Sequence, residues 1–144
     1  MPPSQSINGL ADTPFWTSTE ALFAKKLPTH LGVIGASVVA LEIAQAYRRL
    51  GSEVTIIARL TLLCKEDPLL GEKLTQGFKK DGIRVLNDTQ VARVRHNGEL
   101  FQLETNSGRL TCDQLLISTG RHANTATLKP AAAAGESYLC DRVR

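Results

Sequence analysis

Gly35, Ser37 and Ala40 stand at the first, third and sixth positions of a segment, residues 35–40, where the chain leaves an apolar run and enters an amphipathic one. A dinucleotide turn needs a sharp bend at the first position, close backbone approach to a pyrophosphate at the third, and close helix packing at the sixth. Glycine serves the first need here, and the small side chains of serine and alanine serve the others. The backbone N–H groups of Ala36, Ser37, Val38 and Val39 then open a helix whose positive end favours an anion. The Ser37 hydroxyl has two readings, a phosphate ligand or an N-cap, and one serine can do both. A bare structural turn is the bland alternative for the whole segment. Glu42 suits the helix dipole; its functional reading is a carboxylate that orients a cofactor from the nicotinamide-ribose side.

The second chemical signal lies at the end of the next apolar run. An NAD site wants a carboxylate there, roughly 20 residues after the turn, to hold the ribose 2′-hydroxyl. The residues present are Ala58 and Arg59, with Lys65 beyond, and the first carboxylate is Glu66. A guanidinium fork and an ammonium suit a 2′-phosphate dianion. The expected cofactor is therefore NADPH rather than NADH. The alternative for Arg59 is a strand end in solvent.

Elements to position these residues are legible on both sides. Residues 1–16 read as loop, punctuated by Pro2, Pro3, Gly9 and Pro14. Thr17 and Glu20 have capping-box spacing, which predicts a short helix to about Lys26, stopped by Leu27-Pro28. Residues 31–34 form a buried strand candidate. From Ser37 to Leu50, Val38, Leu41, Ala44, Tyr47 and Leu50 recur at helical spacing, and Gly51 stops the helix. Residues 53–58 are rich in β-branched side chains and read as a second strand. This is a βαβ unit of about 30 residues.

Further on, Asp67-Pro68 supplies an N-cap and an N1 proline. Leu70, Leu74 and Phe78 make an apolar stripe that Gly82 ends, and residues 83–86 read as a third strand. The period then changes to three short strand-like segments, turned by Asn97-Gly98 and by Asn106-Ser107-Gly108. Residues 114–119 return to a continuous apolar run, as a parallel core strand would. The predicted fold is α/β: a Rossmann-like parallel sheet whose third crossover is an antiparallel three-strand meander instead of a helix.

Composition bounds the function. The chain has 144 residues, 42% hydrophobic and 22% charged, enough for one globular domain. A net charge of +3 with no block of like charges gives no reason to expect nucleic acid. No apolar run reaches the roughly 18 residues of a membrane span, and no signal peptide is visible, so a cytoplasmic protein is expected. Cys64, Cys112 and Cys140 are too far apart for a disulfide framework or zinc motif. With His30, His96 and His122 scattered, no metal site is expected. Cys112 lies in a strand-like run and should be buried and inert.

Three segments carry a family resemblance: PFWTSTEAL (14–22), VIGASVVALEIAQAYRRLGSEVTIIAR (33–59) and LLISTGRHANT (115–125). With CKEDPLLGE (64–72), they resemble the NAD(P)H domain of flavin-dependent pyridine nucleotide–disulfide oxidoreductases, in their mercuric reductase branch. The resemblance covers residues 8–128. It implies pyrophosphate contacts for Gly35, Ser37 and the helix start, and 2′-phosphate contacts for Arg59 and Lys65. It places Glu42 near the nicotinamide end. Ser118, Thr119, Gly120 and Arg121 would form the strand end that passes close to the cofactors, followed by Asn124. Ala123 departs from the proline usual there.

For a whole enzyme of this branch, the resemblance implies a homodimer that passes electrons from NADPH to FAD, then to an active-site dithiol, then to Hg(II), giving Hg(0). The flavin fingerprint, the C-x4-C pair and the C-terminal vicinal cysteines of such an enzyme are not among these 144 residues. The expected organisation is a lead-in from a flavin-domain boundary (1–27), an NADPH-binding domain (28–128) and a divergent tail (129–144). The expected function is the NADPH-binding part of a mercury(II) reductase, inactive alone. The NADPH domain of another FAD-dependent disulfide reductase, or a stand-alone nucleotide-binding module, are the alternatives.

Overall fold

A computed structural model describes residues 7–64 and 66–119. Expectations that fall on residues 1–6, Lys65 and residues 120–144, including Gly120, Arg121, Asn124 and the tail, lie outside the described residues.

The local signals act where they stand. The Thr17 side chain caps α1 (Ser18–Leu22) and the Glu20 carboxylate accepts from the Thr17 N–H at 2.7 Å, closing the capping box. Those bonds from the Thr17 hydroxyl and backbone hold the Glu20 carboxyl below the usual carboxylate range. The helix stops at Leu22, short of the expected Lys26. Leu22 and Phe23 are 74% and 80% exposed, so residues beyond the buried Ala21 gain no packing that would extend a short helix. Strand β1 (His30–Ile34) leads into α2 (Val38–Leu50), which Ser37 caps and which ends at Gly51 with φ 109°. After β2 (Glu53–Ile57), Asp67 accepts from the Leu69 N–H at 2.8 Å and Pro68 opens α3 (Pro68–Lys80), as expected.

The remaining strands are β3 (Arg84–Leu86), β4 (Val91–His96), β5 (Phe101–Thr105), β6 (Gly108–Cys112) and β7 (Gln114–Ile117). The β4–β5 loop holds four residues, because the Asn97 side chain accepts from both the Glu99 and Leu100 N–H groups and widens the turn.

Strands β3-β2-β1-β7 form one parallel sheet in that order, and β4-β5-β6 form a separate antiparallel sheet. Alternation along the parallel strands splits the interior in two. Leu31, Val33, Val54, Ile56 and Leu116 pack with Ala40, Leu41, Ile43, Ala44 and Tyr47 of α2 and Phe78 of α3. Ile34, Ile57, Leu115 and Ile117 face the other way, onto Val94, Phe101, Leu103 and Leu110 of the meander. The molecule is thus layered helix, parallel sheet, meander: the meander covers the sheet face that a third crossover would otherwise cover.

Two details of the predicted stripes change. Val38 and Leu50, the first and last residues of α2, are 58% and 66% exposed, since helix ends have packing neighbours on one side only. Leu70 of α3 is also exposed, leaving Leu74 half-buried and Phe78 buried. The lead-in is more than loop. Leu10 is buried in the meander layer and Ala21 in the helix layer. The Trp16 N–H donates to Leu115 O at 2.7 Å and Trp16 O accepts from the Ile117 N–H at 2.8 Å, so this segment lines the β7 edge. Cys112 is buried as expected, and burial pushes its thiol up to about 12.

Candidate nucleotide-binding site

All four parallel strands end on one row of paired residues: Leu86, Ile57, Ile34 and Ile117. The segments just beyond that row therefore lie side by side: Asn87, Ala58-Arg59, Gly35 and Ser118. From β1 the chain crosses to β2 on one side, while β7 occupies the other. That reversal is where open α/β sheets bind ligands, outside the carboxyl ends of the strands.

Gly35 is fixed there from both sides. Its N–H donates to Ile57 O at 3.0 Å, and the Ser118 N–H donates to Ile34 O at 2.9 Å. Its φ is 125°, and a Cβ on it would come closer than 3.0 Å to the Ser118 carbonyl oxygen. Only glycine satisfies both conditions.

Ser37 has its N-cap part. Its hydroxyl donates to Ser118 O at 2.9 Å and accepts from the Ala40 N–H at 3.3 Å. These bonds tie the turn after β1 to the end of β7. The Ser118 hydroxyl lies 3.2 Å away. The backbone N–H groups of Val38 and Val39, in the first turn of α2, have no intrahelical acceptor, since Ser37 caps only Ala40.

Ala36 and Val39 are half-buried and pack against the helix-side core, whereas Val38 is open. Arg59 is exposed and lies two residues past the end of β2, the strand whose last residue, Ile57, pairs with Ile34 just before the Gly35 turn. Thr119 is exposed just beyond Ser118. The structure thus brings Gly35, Ala36, Ser37, Val38, Val39, Arg59 and Thr119 to one end of the sheet. Glu42 is exposed one turn further along α2, where with Val38, Leu63 and Leu74 it lines a shallow groove of about 190 Å³ between α2 and α3. Lys65, Gly120 and Arg121 lie outside the described residues.

Sequence reasoning placed Ser118 at the strand end near the cofactors but missed that its carbonyl is the acceptor for Ser37. The loop after β2 folds back onto α3, with Leu62 buried and Leu63 at φ 49°; nothing local marks that. Among the described residues no helix is long and apolar enough to cross a membrane.

Comparisons with known proteins agree with this arrangement. The family model described as "Pyridine nucleotide-disulphide oxidoreductase" matches residues 2–138. A mercuric reductase of Shewanella putrefaciens is 73% identical over 122 residues, which is 85% of this chain and 22% of that protein. A mercuric reductase of Acidithiobacillus ferrooxidans is 53% identical over 127 residues, 88% of this chain and 23% of that protein. The chain therefore spans less than a quarter of the length of these relatives. Among solved structures, the HOCl-induced flavoprotein disulfide reductase RclA from Escherichia coli superposes with a TM-score of 0.79 at 32% identity, covering 91% of this chain and 30% of that one. The family model spans most of the chain, which therefore belongs to the pyridine nucleotide–disulfide oxidoreductase family, whose members use FAD and a nicotinamide nucleotide.

Proposed function

We propose that this chain is the NADPH-binding part of a flavin-dependent mercury(II) reductase. The observation that carries the reading is the Gly35 turn, with unpaired amides of α2 beside it and Arg59 next to it at the β2 end. The residues fit the nucleotide: first-turn amides for pyrophosphate, and an exposed guanidinium, with no carboxylate before Glu66, for a 2′-phosphate. NADPH held by these residues would supply two electrons as a hydride, which the longer protein would pass through FAD to an active-site disulfide and, from the dithiol so formed, to Hg(II), giving Hg(0). The work of this chain is to hold and orient the electron donor. Gly35 gives the backbone its close approach, Ser37 locks the turn onto β7, and Arg59 selects the phosphorylated ribose. Substrate identity is supported by the 73% and 53% identity to proteins named mercuric reductase, against 32% to a flavoprotein disulfide reductase of another name. The longer protein acts in the cytoplasm as a homodimer.

Arg59→Ala tests the cofactor assignment. A hydrogen bond to a charged group contributes about 1.5–3 kcal/mol, so NADPH should bind roughly 10- to 100-fold more weakly. NADH affinity should stay unchanged. Titrations of both nucleotides measure this, and an equal effect on the two removes the 2′-phosphate role. A second assay follows NADPH absorbance with Hg(II) present. The purified 144-residue chain is expected to catalyse no Hg(II)-dependent oxidation, and turnover there would overturn the division of labour.

A further inference from the structure

We propose that Gly71 is a positioning residue for NADPH selectivity, an inference that rests on the 2′-phosphate reading of Arg59. Glycine in a helix interior costs about 1 kcal/mol against alanine, so an unexplained one needs a reason. α3 holds two, and they differ. Gly77 has nothing within 4 Å of where its Cβ would stand. Gly71 is buried, and a Cβ on it would come closer than 3.0 Å to the backbone carbonyl oxygen of Leu62. The missing side chain lets the loop after β2 lie directly on the first turn of α3.

That loop is the one that begins at Arg59. It is held at three further points. Leu60 O accepts from the Asp88 N–H at 3.3 Å, Leu62 is buried at 1% exposure, and Leu63 O accepts from the Glu66 N–H at 2.8 Å. Leu63 sits at φ 49°, a left-handed conformation that a leucine keeps only where surrounding packing over-determines it. Arg59 itself is exposed and has no such packing. Its direction is set by a loop that the Gly71 surface holds flat. A methyl at position 71 must lift Leu62 and release the Leu63 strain, and the guanidinium then samples many directions. Affinity for the 2′-phosphate falls with the fraction of loop left in the competent shape, about tenfold if that fraction falls to about a tenth. NADH, which has no such group, is indifferent to it.

The test titrates NADPH and NADH into the 144-residue chain and into Gly71→Ala, Gly77→Ala and Arg59→Ala, with the melting temperature of each recorded. Gly71→Ala is expected to narrow the NADPH-over-NADH preference by about fivefold or more, with NADH affinity unchanged; Gly77→Ala is expected to leave the preference intact. If Gly71→Ala keeps the preference in a folded chain while Arg59→Ala abolishes it, Gly71 only fills space and the positioning role is overturned. If the unaltered chain binds both nucleotides equally, the NADPH reading has failed and takes this inference with it. Should Gly71→Ala melt below the assay temperature, Leu63→Gly loosens the same loop by removing its packed side chain. The same narrowing is expected there, and an unchanged preference overturns the proposal.

Discussion

Gly35→Ala is expected to destabilise the protein by about 2–6 kcal/mol, the sum of a strained backbone and an overpacked contact, and to abolish nucleotide binding. Domains of this size hold only about 5–15 kcal/mol in all, so the loss is a large share. The two causes can be separated within this chain. Gly108 has φ 124°, almost the same as the 125° of Gly35, yet nothing lies within 4 Å of its Cβ position. Gly108→Ala therefore reads the cost of the dihedral angle alone. The excess at Gly35 reads the close approach to Ser118, the junction at which β1 and β7 part. Urea unfolding followed by the fluorescence of Trp16, the only tryptophan, reports the comparison, since Trp16 is hydrogen-bonded along the β7 edge. Equal losses at the two positions would mean that the turn needs glycine only for its φ, and that the β1–β7 junction is looser than it looks.

Phe101→Ala is expected to cost about 3–5 kcal/mol, the usual range for a buried phenylalanine. Phe101 is fully buried between the meander and the parallel sheet, and the His96 ring packs 4.5 Å from its centroid. Its neighbours there include Ile34 and Ile117, the last residues of the strands that carry Gly35 and Ser118. A cavity at Phe101 therefore loosens the underside of the site. The urea midpoint should fall with an unchanged slope, because the two sheets share one core and unfold together. A shallower slope, or a separate meander transition, would show that the second sheet folds as an independent layer. A loss under about 1 kcal/mol would move the centre of that layer elsewhere.

Much of the fold was legible because its signals are short-range. Thr17 and Glu20 close a capping box three residues apart, Asp67 and Pro68 open α3 side by side, and Gly51 ends α2 where the periodicity stops. The meander was legible from a change of period and two loop signals. What sequence reasoning got wrong sits at element ends, where packing outweighs pattern. α1 stops at Leu22, where the next side chains face solvent, and Val38, Leu50 and Leu70 fit an apolar stripe yet meet solvent.

By itself, then, the sequence determined the elements, the glycine turn and the absence of a carboxylate at the β2 end, since each depends on residues within a few positions of one another. Only the tertiary structure decided what those residues meet. Ser37 is 81 residues from the carbonyl that accepts its hydrogen bond. The Asp113 carboxylate, at the β6–β7 corner, accepts from the N–H groups of Thr29 and His30 and pins the start of β1 across more than 80 residues. Gly71 is a weak helix residue until Leu62 is laid upon it. The pairing of β1 with β7 and the folding-back of the β2 loop depend on which surfaces bury one another, and no local spacing encodes that.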